Sequence, residues 1–125
     1  MPKTTAATIW HNPACGTSRA VLAMIRAAGV EPRIVAYLKT PPTRAEIAAA
    51  IAAAGLPVRA AVRAKGDLYK ELGLDDPALP DAALLDALAA HPALIERPFV
   101  FTARGVRLGR PAERVAEILP APRGA

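Results

Sequence analysis

The feature that most constrains this chain is a strand–turn–helix–strand pattern close to its start. Thr8-Ile9-Trp10-His11 is a short, mostly apolar run ended by Asn12-Pro13, which reads as a strand running into a turn. Thr17 or Ser18 can cap the helix that follows, and its apolar residues Val21, Leu22 and Ile25 recur at helical spacing until Gly29 closes it. Arg33 to Tyr37 reads as a second strand, and Pro41-Pro42 breaks the chain again. A crossover of helical length favours parallel pairing of the two strands, because parallel neighbours need a long connection.

The rest of the chain extends that pattern. Thr43-Arg44-Ala45-Glu46 fits a capping box, followed by Ile47 and Ile51 four apart and by Gly55 as a stop. Val58 to Lys65 reads as a short helix carrying Arg59 and Arg63, and Asp67 to Leu72 as another ending at Gly73. Asp81 can cap a helix through Leu84, Leu85 and Leu88 that His91-Pro92 terminates. A helical block, about 43–91, therefore separates the second strand from the third. Pro98 to Thr102 is that third strand, Ala103-Arg104-Gly105 a hairpin turn, and Val106-Arg107-Leu108 its partner. Pro111 opens a last helix with Val115, Ile118 and Leu119 on one side, and the tail 120–125 is expected to fray. The order is that of an α/β, thioredoxin-like mixed four-stranded sheet with a helical insertion, in one domain spanning 1–125.

The composition narrows the function classes. Of the 53 % hydrophobic residues in the 125-residue chain, 30 are alanine, so the bulky core must come from concentrated runs such as Phe99-Val100-Phe101. No stretch approaches the roughly 18 consecutive apolar residues of a membrane span. Met1-Pro2-Lys3-Thr4-Thr5 lacks the apolar region of a signal peptide. One cysteine excludes an internal disulfide and suits a reducing compartment, so a cytoplasmic location is expected. The net charge of +5 rests on twelve arginines and four lysines, but the arginines are scattered singly. Neither zinc-finger spacing nor an aromatic RNA-binding motif accompanies them, so no metal, nucleic-acid or membrane partner is expected. A small anionic substrate accounts for the charge equally well.

Chemistry concentrates at Cys15, between the first strand and the first helix. The first N–H groups of a helix lack intrahelical partners and carry partial positive charge. They stabilise a thiolate and also cradle an oxyanion. A fall in thiol pKa from about 8.5 to about 6.5 raises the thiolate fraction at pH 7 from roughly 3 % to roughly 75 %. Gly16 lets the backbone approach a ligand closely, and three readings are open for His11: it raises the local positive potential, it bonds the thiol, or it is a satisfied residue at the strand end. Spacing excludes two familiar thiol sites. A phosphatase loop places five residues between Cys and Arg, whereas Arg19 follows Cys15 after three; a dithiol motif needs a second cysteine where Ser18 stands. A single thiol cannot deliver two electrons alone, so a second must come from outside, with glutathione the obvious supply.

His11-Asn12-Pro13-Ala14-Cys15-Gly16-Thr17-Ser18-Arg19 resembles the active-site loop of the glutaredoxin-linked arsenate reductase family. Tyr37 to Pro42, Val58 to Arg63, His91 to Pro98 and Arg107 to Pro111 agree with the same family, over roughly residues 8–120. The resemblance implies that Cys15 attacks arsenate, that Arg63, Arg97 and Arg110 bind the oxyanion, and that His11 and Ser18 tune the thiol. Gly16 and Thr17 then join the substrate-binding loop, and Arg97-Pro98 matches a cis-proline bond. The resemblance further implies glutathione as co-substrate with no bound cofactor, glutaredoxin as partner and arsenite as product. Planar guanidiniums suit a tetrahedral oxyanion through paired N–H donors. Arg59, Arg104 and Arg107 read instead as ordinary surface charges.

The sequence departs from the family in two places. Gly109 stands where some relatives carry a further cysteine, and the chain ends sooner after Pro120 than longer members do. Two alternatives use the same fold. A glutathione-dependent thiol reductase that never meets arsenate would not need all three arginines. A redox regulator that binds RNA polymerase would commonly carry a Cys-x-x-Cys motif, which Ser18 interrupts.

Overall fold

In a computed structural model, residues 7–120 are described. Met1 to Thr5, expected to lack a signal sequence, and the tail from Ala121 onward, expected to fray, lie outside the described residues. The chain divides into two compact units: one comprises the residues up to Thr40 and from Arg97 on, the other Pro41–Glu96.

The first unit carries a four-stranded sheet in the order β2-β1-β3-β4, built from β1 (Ala7–Trp10), β2 (Arg33–Val35), β3 (Phe99–Thr102) and β4 (Gly105–Leu108). The expected parallel pairing is present, with Thr8 opposite Arg33 and Trp10 opposite Val35. β3 runs antiparallel to β1, with Trp10 opposite Phe99, and antiparallel to β4, with Thr102 opposite Gly105. Strand alternation divides the apolar residues between two faces. Ala7, Ile9 and Val100 face the crossover helix α1 (Gly16–Ala27) and form a core with Val21, Ile25, Val115 and Ile118. On the opposite face Trp10 packs against Phe99 and Phe101, with ring centroids 5.5 Å and 5.0 Å apart. Each fully buried aliphatic side chain here contributes about 1.5–3 kcal/mol.

Local signals set where α1 begins and ends. Gly29 follows its last turn with φ +86°, a left-handed conformation that glycine adopts without a Cβ penalty. At its start the cap residue is Cys15, not Thr17 or Ser18, and no side chain closes that end. Ser18 is already drawn into hydrogen bonds with the loop before the helix. The second strand is shorter than expected, since Tyr37 turns inward and is fully buried. The final segment, Ala112–Ile118, is a 3-10 helix rather than an α-helix, with Pro111 ahead of its first turn. Arg104 is no idle charge: its Nη1 donates to the Leu119 carbonyl at 3.0 Å and ties the hairpin to that segment.

The second unit is helical, with α2 (Arg44–Ala53), α3 (Leu68–Glu71) and α4 (Asp81–Ala90). The capping box of α2 is complete, as the Thr43 side chain accepts from the Glu46 N–H and Glu46 accepts from the Thr43 N–H. Asp81 is the first residue of α4 rather than its cap, which is Pro80. The expected helix from Val58 to Lys65 stops at Ala61 as a 3-10 turn. Val62 then pairs with Ile95 in an antiparallel bridge, where two β-branched residues favour extended backbone. Arg59 also departs from expectation. Its guanidinium donates to Tyr69 Oη and to the carbonyls of Leu74 and Asp76, at 2.7–2.9 Å, and so braces this unit.

Candidate active site

The loop between β1 and α1 is shaped by its own polar groups. The Asn12 side chain accepts from the Ala14 N–H at 3.0 Å, while its carbonyl accepts from the Cys15 N–H at 3.0 Å. This Asx-type turn swings the chain from strand into helix and leaves Cys15 in extended geometry at the helix cap. Arg19 Nη1 donates to the Pro13 carbonyl at 2.8 Å and clamps the turn from the helix side. The sequence marks Asn12-Pro13 as a turn, but it gives neither Asn12 nor Arg19 this bracing role.

The sulfur of Cys15 sits at the open end of α1, partly exposed. Burial alone pushes the thiol up. The Ser18 N–H, the Arg97 side chain, the Thr17 N–H and the Arg97 charge together outweigh it, and hold the thiol below its ordinary value. A second guanidinium lies close by, with Arg110 Nη2 3.5 Å from Cys15 Sγ. Arg110 is fixed by donating from Nε to the Arg97 carbonyl at 2.8 Å. Arg97 precedes β3 and Arg110 follows β4, so the β3–β4 hairpin delivers both to the thiol. Both are followed by a cis peptide bond, to Pro98 as expected and to Pro111 as well. Arg97 Nε is buried with no hydrogen-bond partner among the described residues. A buried cationic donor left open beside a thiolate suits an anionic ligand.

His11 and Ser18 form a buried pair behind the loop, with His11 Nδ1 2.7 Å from Ser18 Oγ. Ser18 Oγ also accepts from the Asn12 N–H at 3.1 Å. Burial, followed by the charges of Arg19 and Arg26, holds the imidazole below its ordinary value, so it is neutral near pH 7. His11 therefore adds no positive potential; it holds Ser18, whose N–H faces the sulfur. A Cβ on Gly16 would meet only Arg19 Nη2, at an ordinary 3.7 Å, so packing of the protein does not itself demand glycine there.

Arg63 belongs to the second unit. Its N–H donates to the Leu94 carbonyl at 2.7 Å, and Nη1 lies 3.6 Å from Glu96 Oε1, both side chains largely shielded from solvent. The pairing of 61–63 with 94–96 sets Arg63 beside Glu96 within this unit.

A thioredoxin-like sheet with one thiol at the first helix N-terminus and two arginines on the β3–β4 hairpin defines a class of single-cysteine enzymes of thiol chemistry. The profile of the ArsC family matches residues 10–118. The chain belongs to that family. It is 63 % identical over 113 residues to an arsenate reductase of Rhizobium meliloti (strain 1021), covering 90 % of this chain and 81 % of that one. An arsenate reductase of Escherichia coli (strain K12) is 54 % identical over 113 residues, with 90 % and 80 % covered. The solved arsenate reductase from Vibrio cholerae superposes with a TM-score of 0.89 at 45 % identity, covering 94 % of this chain and all of that one.

Proposed function

We propose that this chain reduces arsenate to arsenite, with the Cys15 thiolate as nucleophile and glutathione and glutaredoxin as electron donors. The observation that carries this reading is the arrangement at one sulfur: helix N–H groups and two guanidiniums favour its anion, and Arg97 Nε has no hydrogen-bond partner among the described residues. The thiolate displaces one oxygen from arsenic, which departs protonated as water. Arg97 and Arg110 hold the charge of the remaining oxygens, and the family resemblance assigns Arg63 the same role. Gly16 and Thr17 supply the loop backbone against which the oxyanion sits. His11 and Ser18 tune the nucleophile through the buried bond between them.

Electron balance calls for partners. Arsenate must gain two electrons, and Cys15 is the one thiol in the chain. Glutathione displaces a second oxygen and gives a Cys15–arsenic–glutathione adduct. A glutaredoxin thiol then attacks the glutathione sulfur. The disulfide forms as the sulfur–arsenic bond breaks, and that electron pair passes to arsenic. Water releases arsenite and restores the Cys15 thiol. A reaction that consumes reduced glutathione suits the cytoplasm, where thiols are kept reduced.

The test is arsenate-dependent NADPH oxidation with glutathione, glutaredoxin and glutathione reductase present. The expected result is turnover that requires arsenate, glutaredoxin and Cys15. Oxidation that continues unchanged in Cys15→Ser, or that ignores arsenate, contradicts the proposal.

A further inference from the structure

The loop that carries Cys15 is held unevenly along its length. Its ends are tied by groups that the fold supplies. The His11 N–H donates to the Val35 carbonyl at 2.9 Å, the Asn12 N–H to Ser18 Oγ at 3.1 Å, and the Arg19 N–H to the Cys15 carbonyl at 3.0 Å. Its middle is the Pro13–Ala14 peptide, and both residues are exposed, so burial does not fix it. Proline also has no N–H to offer. Two side chains hold this one peptide plane instead, from opposite edges. Asn12 Oδ1 accepts the Ala14 N–H at 3.0 Å, and Arg19 Nη1 donates to the Pro13 carbonyl at 2.8 Å. Arg19 lies one helical turn beyond Cys15, so its side chain reaches back past the thiol-bearing residue to the turn before it. Without that bond the plane is held at one edge only. Its rotation carries the Cys15 backbone along and moves the sulfur away from the Thr17 and Ser18 N–H groups.

We infer that Arg19 is a positioning residue: by holding the Pro13 carbonyl it locks the exposed peptide plane of the loop and keeps Cys15 seated over the open start of α1. In its effect on turnover, this inference rests on the proposed arsenate reduction; in its effect on the thiol, it does not. The groups that hold the thiol down against burial are the Ser18 and Thr17 N–H groups and Arg97, with Arg110 Nη2 3.5 Å away, and the charge of Arg19 is not among them. Arg19 therefore acts through the shape of the loop. Arg97 and Arg110 come from the β3–β4 hairpin, so loss of the clamp leaves both guanidiniums in place for the oxyanion. The nucleophile suffers, and binding of the substrate's charge does not.

The experiment compares Arg19→Met, which keeps an unbranched apolar stem and loses the donor, with Arg19→Lys, whose ammonium can reach the same carbonyl. Both are read by the pH dependence of iodoacetamide alkylation and by kcat and KM for arsenate. Arg19 is exposed, so circular dichroism should show both variants folded. Arg19→Met should move the thiol titration upward and lower kcat by roughly three- to tenfold, with little change in KM. Arg19→Lys should recover most of both. Salt separates the clamp from a charge effect, because an exposed charge is largely screened at about 1 M KCl whereas a rotated peptide is not. The gap in titration between parent and Arg19→Met should therefore persist there. A parent-like titration in Arg19→Met overturns the inference. So does a gap that closes in salt, or a loss carried by KM with kcat unchanged. An Arg19→Lys protein no better than Arg19→Met overturns it too. A parent without arsenate turnover contradicts the proposed function, whereas the alkylation titrations still test the role of Arg19.

Discussion

Two helices of the chain, α1 and α2, start in opposite ways. At α2, Thr43 and Glu46 satisfy each other's backbone N–H groups, and the helix start is closed by its own side chains. At α1 the cap is Cys15, no side chain closes the end, and the Thr17 and Ser18 N–H groups point at sulfur. One start is sealed for stability and the other is left open for chemistry. A helix terminus with unpaired donors is less stable than a capped one, and the same donors are what favour an anion there.

Breaking the open start should have the largest effect. Cys15→Ser removes the sulfur and should lower arsenate turnover on the order of a thousandfold or more, since a hydroxyl is almost fully protonated near pH 7. Circular dichroism should show the fold retained, and measurable turnover near the parent rate would break the contrast. Next in size is Arg97→Ala, which removes one or two charge-assisted bonds and should reduce kcat/KM for arsenate by roughly 10- to 100-fold. Arg97→Lys should recover part of that loss, because an ammonium lacks the planar fork. Arg33→Ala, at an exposed position on β2, serves as the control and should behave like the parent. A general thiol reductase would show the same small change in both alanine variants.

Breaking the sealed start should have a different signature. Thr43→Ala removes the cap of α2 and should reduce stability by about 1 kcal/mol in urea denaturation. Alkylation of Cys15 should be unaffected, and a changed thiol titration would mean that the two helix starts are coupled. The smallest effect concerns the His11–Ser18 pair. His11 is held below its ordinary value in the folded protein, so the unfolded chain binds more protons as pH falls through about 6.5. Stability should therefore decline as pH drops from about 6.5 toward the lower folded value, on top of any carboxylate effect below it. In His11→Gln this part of the melting-temperature profile should flatten; an unchanged slope would place the titration elsewhere.

Much of this contrast was legible in the residues. The capping box at Thr43 and Glu46 is a local pattern whose two bonds need no distant partner. The parallel β1–β2 pair followed from a connection too long for a hairpin, and Arg97 and Arg110 followed from resemblance. What depended on long-range contacts was not legible. Thr17 and Ser18 both look like helix caps, but Ser18 is taken by His11 and Asn12, which passes the cap position to Cys15. The helix expected through Arg63 yields to the Val62–Ile95 bridge, formed by residues far apart in sequence. Arg59 and Arg104 look like surface charges because their carbonyl partners come from other segments of the chain. Gly109, read from the sequence as the place of a cysteine in some relatives, packs tightly: a Cβ there would meet Val21, Pro98 and Val115 at 3.0–3.1 Å.

The state of the Cys15 thiol in the free protein decides whether the open end of α1 activates the sulfur. Its alkylation rate by iodoacetamide, measured against pH with no arsenate or glutathione present, reports the thiolate fraction alone. The helix N–H groups and guanidiniums predict a half-maximal rate clearly below the free-cysteine value of about 8.5. A midpoint at or above that value would mean that burial outweighs the donors, and that the open end of α1 does not activate the sulfur.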